Sequence, residues 1–201
     1  TQKPLIMSTG MATKREIYEA IKTAKENGAK DLIVLHCTSS YPAPLSEANL
    51  VTIKNIMDEF EVLSGLSDHT EGTFASTIAV SLGASLIEKH FIINKKNGGV
   101  DSSFSIEPEG LKRLVKECKL TKEVMGKLSF QPTESEKIVL KNRRSLYVVK
   151  DVKKGEELSK NNIKSIRPGN GLLPKFYEDV LGKKATRDLK FGEPLKKDMY
   201  V

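Results

Sequence analysis

The 201-residue sequence contains no tryptophan, few aromatic side chains and only two cysteines. It has no apolar run of the roughly 20 residues that a membrane-spanning helix needs, which excludes a spanning protein. Cys37 and Cys118 are too few for the disulfide framework of a small secreted domain and are typical of the reducing cytoplasm. Aromatic residues make up 6% of the chain, which leaves little material for stacking nucleic-acid bases. We therefore expect a cytoplasmic protein that binds neither membranes nor nucleic acid.

The positive charge of the chain is concentrated near one end. Hydrophobic residues make up 38% of the sequence and charged residues 29%, as in soluble globular proteins. Residues 143–201 hold 15 basic and 8 acidic side chains, which accounts for the entire net charge of +7. This shift predicts a domain boundary near Arg143. It also leaves open a second interpretation, in which residues 143–201 bind polyanions.

Short apolar runs alternate with helix-like segments through the first 126 residues. The predicted strands are 4–7, 32–35, 61–66 and 85–88. Thr13 and Glu16 have the spacing of a capping box, which marks the start of the first helix. The other predicted helices are 46–60, 74–82 and 108–125. Four strand–helix units in a row predict an α/β fold with a parallel sheet and right-handed crossovers.

Four such units are half of a known architecture. A complete TIM (β/α)8 barrel needs about 250 residues, so we predict that residues 1–126 form its C-terminal half, with a small open sheet as the alternative. Because the sequence begins at Thr1 and not at Met, we favour a preceding half outside this chain. Residues 127–142 are polar and are predicted to be a linker. Residues 143–201 alternate short strand patterns with glycine turns, which predicts a small β-rich domain.

The three histidines of the chain each follow a predicted strand: His36, His69 and His90. The carboxyl ends of parallel strands meet at one edge of a sheet, where α/β proteins place their active sites. Strand alternation puts Ser67 on the face of His69 and Glu88 on the face of His90, with Lys89 on the opposite face. Two imidazoles on neighbouring strands predict a divalent-metal site held by His69 and His90, for manganese, zinc or iron.

Small hydroxylic side chains lie at the same strand ends: Ser8, Thr9, Thr38, Ser39 and Ser67. Hydroxyl groups there are suited to hydrogen-bonding phosphate or carboxylate groups of a ligand. Serine and threonine also cap helices, so a purely structural role stays open for each of them.

Several segments, in order, resemble the sialic acid synthase family. In the first part of the chain these are Met7–Met11 (MSTGM), His36–Pro42 (HCTSSYP), Gly65–Thr70 (GLSDHT) and Glu88–Phe91 (EKHF). In the tail, the segments 144–147, 151–156 and 167–171 resemble the antifreeze-like (SAF) domain of that family. The loop 98–105, followed by Glu107-Pro108, is most similar to the pseudaminic acid synthase branch.

The resemblance implies a reaction and an assembly. Members of the family condense phosphoenolpyruvate with an open-chain N-acetylated amino sugar, which gives a nine-carbon 2-keto acid and phosphate. The resemblance implies a barrel followed by the SAF domain, paired as a domain-swapped homodimer. It also implies a divalent metal at His69 and His90, with Mn²⁺ expected first and Mg²⁺ or Co²⁺ as alternatives. Glu88 is grouped with these catalytic residues, with a structural acid as its alternative role.

The resemblance also assigns substrate contacts. Ser8, Ser39 and Ser67 match positions near phosphoenolpyruvate, although some relatives have an amide residue at the position of Ser39. Tyr41 and Asp101 match positions that contact the sugar. Arg167 matches the residue that the SAF domain extends into the partner subunit's site. We count His36, at the end of its strand, among the substrate-binding residues as well.

One part of the family's machinery is missing from these 201 residues. The family's first four strands carry an acidic catalytic residue and lysines for phosphoenolpyruvate, so we expect residues 1–201 alone to be inactive. Within the family, N-acetylneuraminate or legionaminate synthase is the alternative product assignment. Outside it, the alternatives are a non-catalytic polyanion-binding module on a barrel fragment, or another metal-dependent barrel lyase or aldolase. The predicted outward direction of Lys89 disfavours a Schiff-base aldolase that uses this lysine.

Overall fold

A computed structural model describes residues 3–201 of the chain. The chain divides into two compact units, with the boundary between Lys127 and Leu128, and each unit is described by itself. Among the helices of residues 3–201, none is long and apolar enough to cross a membrane.

The first unit is built on a four-stranded sheet in which every neighbouring pair of strands is parallel. The strands are β1 (Leu5–Ser8), β2 (Leu32–Cys37), β3 (Leu63–Asp68) and β4 (Ile87–Lys89), and their order in the sheet is their order in the sequence. This confirms the predicted parallel α/β fold. Because all four strands run the same way, their carboxyl ends meet at one edge of the sheet.

Four helices follow the strands: α1 (Lys14–Glu26), α2 (Thr52–Phe60), α3 (Phe74–Ser81) and α4 (Pro108–Met125). The predicted capping box is present at the start of α1, where the Thr13 amide donates to the Glu16 carboxylate at 2.7 Å. The continuous helix predicted over 46–60 is wrong at its start. Residues Leu45–Glu47 form a separate 3-10 turn, because Asn49 takes a left-handed conformation with φ of 43° and interrupts the helical path.

Apolar residues on one face of the sheet form the core with the helices. Leu32 and Val34 of β2 pack with Ile21 of α1 and Ile56 of α2. A second cluster joins β3 to α2 and α3 through Ile53, Leu66, Ala75 and Ala79. Since side chains alternate along a strand, residues at the intervening positions lie on the opposite face, which we call the inner face.

The second unit has little regular secondary structure. It contains α5 (Glu134–Val139), β5 (Ser145–Val148), β6 (Ile163–Ile166) and α6 (Tyr177–Val180), and β5 pairs antiparallel with β6. Helix α5 lies within the segment predicted as a linker and begins with a capping box between Thr133 and Glu136. The core consists of ten buried residues: Leu146, Val148, Val152, Leu158, Ile163, Val180, Ala185, Leu189, Leu195 and Met199.

Two similar turns face each other in this unit. The sequence Asp151–Glu156 (DVKKGE) is echoed by Asp188–Glu193 (DLKFGE), and the two segments meet at a bridge between Val152 and Leu189. Each aspartate accepts a backbone N–H and a lysine from the other turn: Asp151 from Phe191 and Lys190, and Asp188 from Lys154 and Lys153. The repeated sequence therefore corresponds to two equivalent sets of contacts between the turns.

Candidate functional site

The inner face of the sheet carries polar side chains where the strands end. Sheet register pairs Ser8 of β1 with Leu35 of β2, Cys37 with Ser67 of β3, and Ser67 with Glu88 of β4. The Ser67 hydroxyl donates to the Glu88 carboxylate at 2.7 Å. The predicted Ser67 and Glu88 are thus in direct contact, on the face that alternation predicts.

His69 and His90 lie one residue beyond the end of the β3–β4 pairing. Their ring centroids are 5.2 Å apart, with His69 buried and the His90 side chain one-third exposed. The Nδ1–H of His69 donates to the Thr38 carbonyl oxygen at 3.0 Å, and the Cys37 Sγ lies 3.9 Å from the same nitrogen. When the proton of the neutral ring is on Nδ1, the lone pair of Nε2 is the one that can bind a cation.

Two loops complete the surroundings of the histidines. Tyr41 packs on His69 with a centroid distance of 4.3 Å and meets His90 at 5.8 Å, while its side chain stays half exposed. Asp101, in the loop that precedes α4, places Oδ2 3.4 Å from Nδ1 of His90. The structure therefore brings the predicted Tyr41 and Asp101 next to the histidine pair.

Phe104 belongs to this cluster and was missed by the sequence analysis. Its ring meets His90 edge-on at 5.1 Å and Tyr41 at 5.6 Å, and it is buried. The amide and hydroxyl of Ser105 both donate to the Asp101 carbonyl, which closes a turn that presents Asp101 and Phe104 together. An aromatic residue three positions after the predicted Asp101 was the available signal.

His36 is not brought to the cluster. It precedes Cys37 in β2 and so points to the helix-facing side, where its Nε2–H donates to the Ala48 carbonyl oxygen at 2.8 Å. Strand alternation separates His36 from the other two histidines although all three follow the same sequence pattern. Its position gives no support to the predicted substrate contact.

The remaining predicted residues lie as follows. Ser8 ends β1 and is exposed, and the Ser39 hydroxyl lies 3.6 Å from Cys37 Sγ, close to the inner face. Arg167 follows β6 in the second unit and is exposed, with a cis peptide bond to Pro168.

The donor set at the strand ends fits a divalent cation with few protein ligands. Within residues 3–201 there is no group of three or more His, Cys, Asp or Glu side chains arranged to hold a metal ion. The two imidazoles at 5.2 Å, with Nδ1 of His69 committed to a carbonyl and Nδ1 of His90 beside Asp101, leave the two Nε2 atoms as the available ligands. Imidazole ligands held by carbonyl or carboxylate partners are a recurring arrangement at metal sites.

The first unit is thus a parallel α/β sheet with a histidine pair at its carboxyl edge, and the second is a small unit with one antiparallel pair of strands. The sequence model of the NeuB family matches residues 1–130, and that of the SAF domain matches residues 143–201. The chain therefore belongs to the NeuB family and ends in a SAF domain.

Individual relatives agree with this assignment. The chain is 44% identical to a pseudaminic acid synthase of Campylobacter jejuni over 97% of its length, and 43% identical to an N,N'-diacetyllegionaminic acid synthase of the same species over 95%. It covers 57% and 58% of those two proteins. The crystal structure of the spore coat polysaccharide biosynthesis protein SpsE from Bacillus subtilis matches 99% of the chain with a TM-score of 0.59 and 33% identity, and the chain covers 61% of it.

Proposed function

We propose that the protein containing this chain condenses phosphoenolpyruvate with an open-chain N-acetylated amino sugar, and that its product is pseudaminic acid. The proposal rests on one observation: His69 and His90 lie side by side, next to Tyr41 and Asp101. The membership of the NeuB family and the 44% identity to a pseudaminic acid synthase support it. Since the chain spans 57–58% of the Campylobacter jejuni relatives, the activity is proposed for the longer protein.

We assign the residues at the strand ends different roles according to their positions. His69 and His90 would hold a divalent metal, with Mn²⁺ first and Mg²⁺ or Co²⁺ as alternatives, through their Nε2 atoms. The chemistry that such an ion supplies is Lewis acidity toward the aldehyde oxygen of the sugar. Tyr41 and Asp101 lie beside the histidines and would orient the sugar, Asp101 by accepting its hydroxyl groups.

The hydroxyl groups on the inner face would serve phosphoenolpyruvate. Ser8, Ser39 and Ser67 would donate to its phosphate and carboxylate oxygens, and Glu88 would hold the Ser67 hydroxyl in place. In the reaction, C3 of phosphoenolpyruvate forms a bond to the aldehyde carbon. Water adds at C2, and phosphate then leaves as the C–O bond breaks. Donors near the phosphate stabilise the charge that develops there.

The architecture of the longer protein is part of the proposal. We place the four strands as the second half of a TIM barrel, with residues 127–142 linking it to the SAF domain. Arg167 would reach the site of the partner subunit in a domain-swapped dimer, where its guanidinium can bind a carboxylate or sugar oxygens through two donors. Both cysteines are free thiols, which supports a cytoplasmic setting.

Legionaminic acid synthesis is a second candidate for the same site. The N,N'-diacetyllegionaminic acid synthase relative is 43% identical, so overall identity separates it little from the pseudaminic acid synthase at 44%. The loop 98–105, which carries Asp101 and Phe104, favours pseudaminic acid because of its resemblance to that branch.

Phosphate release by the full-length protein tests the proposal. The assay uses phosphoenolpyruvate, Mn²⁺ and, in turn, N-acetylmannosamine and the two diacetamido-trideoxyhexoses that lead to pseudaminic and legionaminic acids. We expect release with the pseudaminic acid precursor that a chelator abolishes and added Mn²⁺ restores. Release with a different sugar alone would reassign the product, and no release with any sugar from folded protein would contradict the proposed activity.

A further inference from the structure

A buried ion pair lies on the helix-facing side of the sheet, directly behind the two histidines. Nζ of Lys89 donates to Oδ2 of Asp68 at 2.9 Å, and the two side chains are 4% and 0% exposed. Alternation directs both away from the inner face, so neither side chain is placed to contact a substrate there. The proposed reaction uses neither of them.

The pair is the centre of a hydrogen-bonded network. Oδ1 of Asp68 accepts from the amide and the hydroxyl of Thr70, at 2.9 and 2.8 Å. Its Oδ2 accepts from the Ser76 hydroxyl of α3 at 2.5 Å, in addition to Lys89. Nζ of Lys89 also donates to the Thr70 carbonyl oxygen at 2.6 Å. Asp68, Thr70 and Lys89 are therefore tied to one another and to α3.

This network stands where the backbone pairing of the strands stops. Strands β3 and β4 share only three paired positions, and Asp68 with Lys89 is the last of them. His69 and His90 follow immediately. Asp68 and Thr70 flank His69 in the chain. Because Lys89 donates to both Asp68 and Thr70, it holds the segment that begins at His90 in register with His69. On its other side, the His90 carbonyl accepts from the Ile106 amide at 2.7 Å.

We infer that Asp68 and Lys89 are positioning residues that fix the spacing of His69 and His90 for a bound metal ion; this inference rests on the proposed function. Desolvation largely offsets the attraction within a buried ion pair, and apolar replacements of similar size are often as stable. The attraction between the two charges therefore adds little to the free energy of unfolding, and we assign the pair a role in the geometry of the strand ends.

Mn²⁺ affinity of the metal-depleted full-length protein tests the inference. The variants are D68N, K89M and the apolar double variant D68L/K89M, and free Mn²⁺ is measured by electron paramagnetic resonance during titration. The double variant leaves no unpaired buried charge, but the Thr70 amide and the Ser76 hydroxyl lose their acceptor, so we expect it to fold with a lower midpoint of thermal unfolding than wild type. We expect its dissociation constant for Mn²⁺ to rise about 10- to 100-fold, as when other groups that orient metal ligands are removed.

The control is S64A, on the same strand and the same face. Ser64 is fully buried and its hydroxyl donates to the Val34 carbonyl at 2.9 Å, four residues before Asp68. We expect S64A to lower the midpoint of thermal unfolding and to leave Mn²⁺ affinity unchanged. Wild-type affinity in folded D68L/K89M and D68N, or an equal loss in S64A, would overturn the inference. If the wild type itself binds no Mn²⁺, the metal assignment of the proposed function fails first, and this inference with it.

Discussion

At the scale of single residues, the side of a strand from which a histidine projects decides what it can do. His36, His69 and His90 all stand at strand ends, and their sequence contexts look alike. His69 and His90 occupy inner-face positions and come within 5.2 Å of each other, whereas His36 projects to the helices and binds the Ala48 carbonyl. The same alternation puts Asp68 and Lys89 behind the site and Ser67 with Glu88 inside it.

We predict a structural role for His36. In H36A the Ala48 carbonyl loses its donor, and the free energy of unfolding should fall by about 1–2 kcal/mol. H36Q, which keeps an N–H at a similar reach, should recover part of that loss. Chemical denaturation of the three proteins measures this, and Mn²⁺ affinity should be the same in all of them. Loss of Mn²⁺ binding in folded H36A would contradict the assignment.

At the scale of elements, close approach of the strands depends on a residue without a side chain. A Cβ on Gly65 of β3 would lie 2.2 Å from the Leu86 carbonyl oxygen and 2.7 Å from a Leu35 methyl group. The first of these is backbone of the segment that leads into β4, and it cannot rotate away. Gly65 therefore permits the spacing that brings His69 and His90 together.

We predict that G65A destabilises the first unit. The substitution should lower the free energy of unfolding by at least about 2 kcal/mol, because strand β4 must move to admit the methyl group. G110A in α4 is the comparison: its Cβ would meet the side chain of the buried Ile106 at 2.6 Å and no backbone atom of another segment, and alanine favours a helix, so we expect a smaller loss there. Thermal unfolding compares the two proteins. A G65A protein as stable as G110A would contradict this account of the sheet.

Regular elements were more predictable from the sequence than the loops that join them. Apolar runs and helical spacing located the four strands and the capping box of Thr13, because burial and backbone hydrogen bonding act locally on those patterns. The break at Asn49 depends on one left-handed residue that no periodicity reports. Phe104 was missed for a related reason: its signal is its spacing of three positions from Asp101, and this spacing does not indicate the histidine on which the ring packs.

The paired turns of the second unit make a pH-dependent contact. The pKa of Asp151 lies below its ordinary value of 3.8 because it accepts from the Phe191 amide and from Lys190. The pKa of Asp188 is lowered by Lys153 and by the Lys154 amide. A carboxyl group with a lower pKa in the folded state stabilises the fold above its unfolded pKa, and this contribution is lost as the pH falls through the folded value.

We predict that the turns hold together at neutral pH and weaken in acid below about pH 4. The amide NMR shifts of Phe191 and Lys154, which donate to these carboxylates, should titrate with midpoints below 3.8. D151N and D188N should each remove one of the two titrations and leave the other in place. Midpoints at or above 3.8 would show that the carboxylates are not held as the structure has them.

At the scale of the whole molecule, the boundary between the two family matches coincides with the shift in net charge along the chain. The NeuB match covers residues 1–130, and the SAF match covers residues 143–201, which carry the full net charge of +7. Positive charge of this kind favours encounters with anionic ligands, and the proposed substrate phosphoenolpyruvate is an anion. The proposed activity is that of the longer protein, since the chain spans 57–58% of the Campylobacter jejuni relatives.

The most direct test of the account is the mass of the product made by the full-length protein and by its H69A and H90A variants. With phosphoenolpyruvate, Mn²⁺ and the diacetamido-trideoxyhexose that leads to pseudaminic acid, the wild type should yield a nonulosonic acid and one phosphate per molecule. Folded H69A and H90A should bind no Mn²⁺ and yield neither product. A nonulosonic acid formed at the wild-type rate by either variant would contradict the central claim that these two histidines form the metal-dependent site.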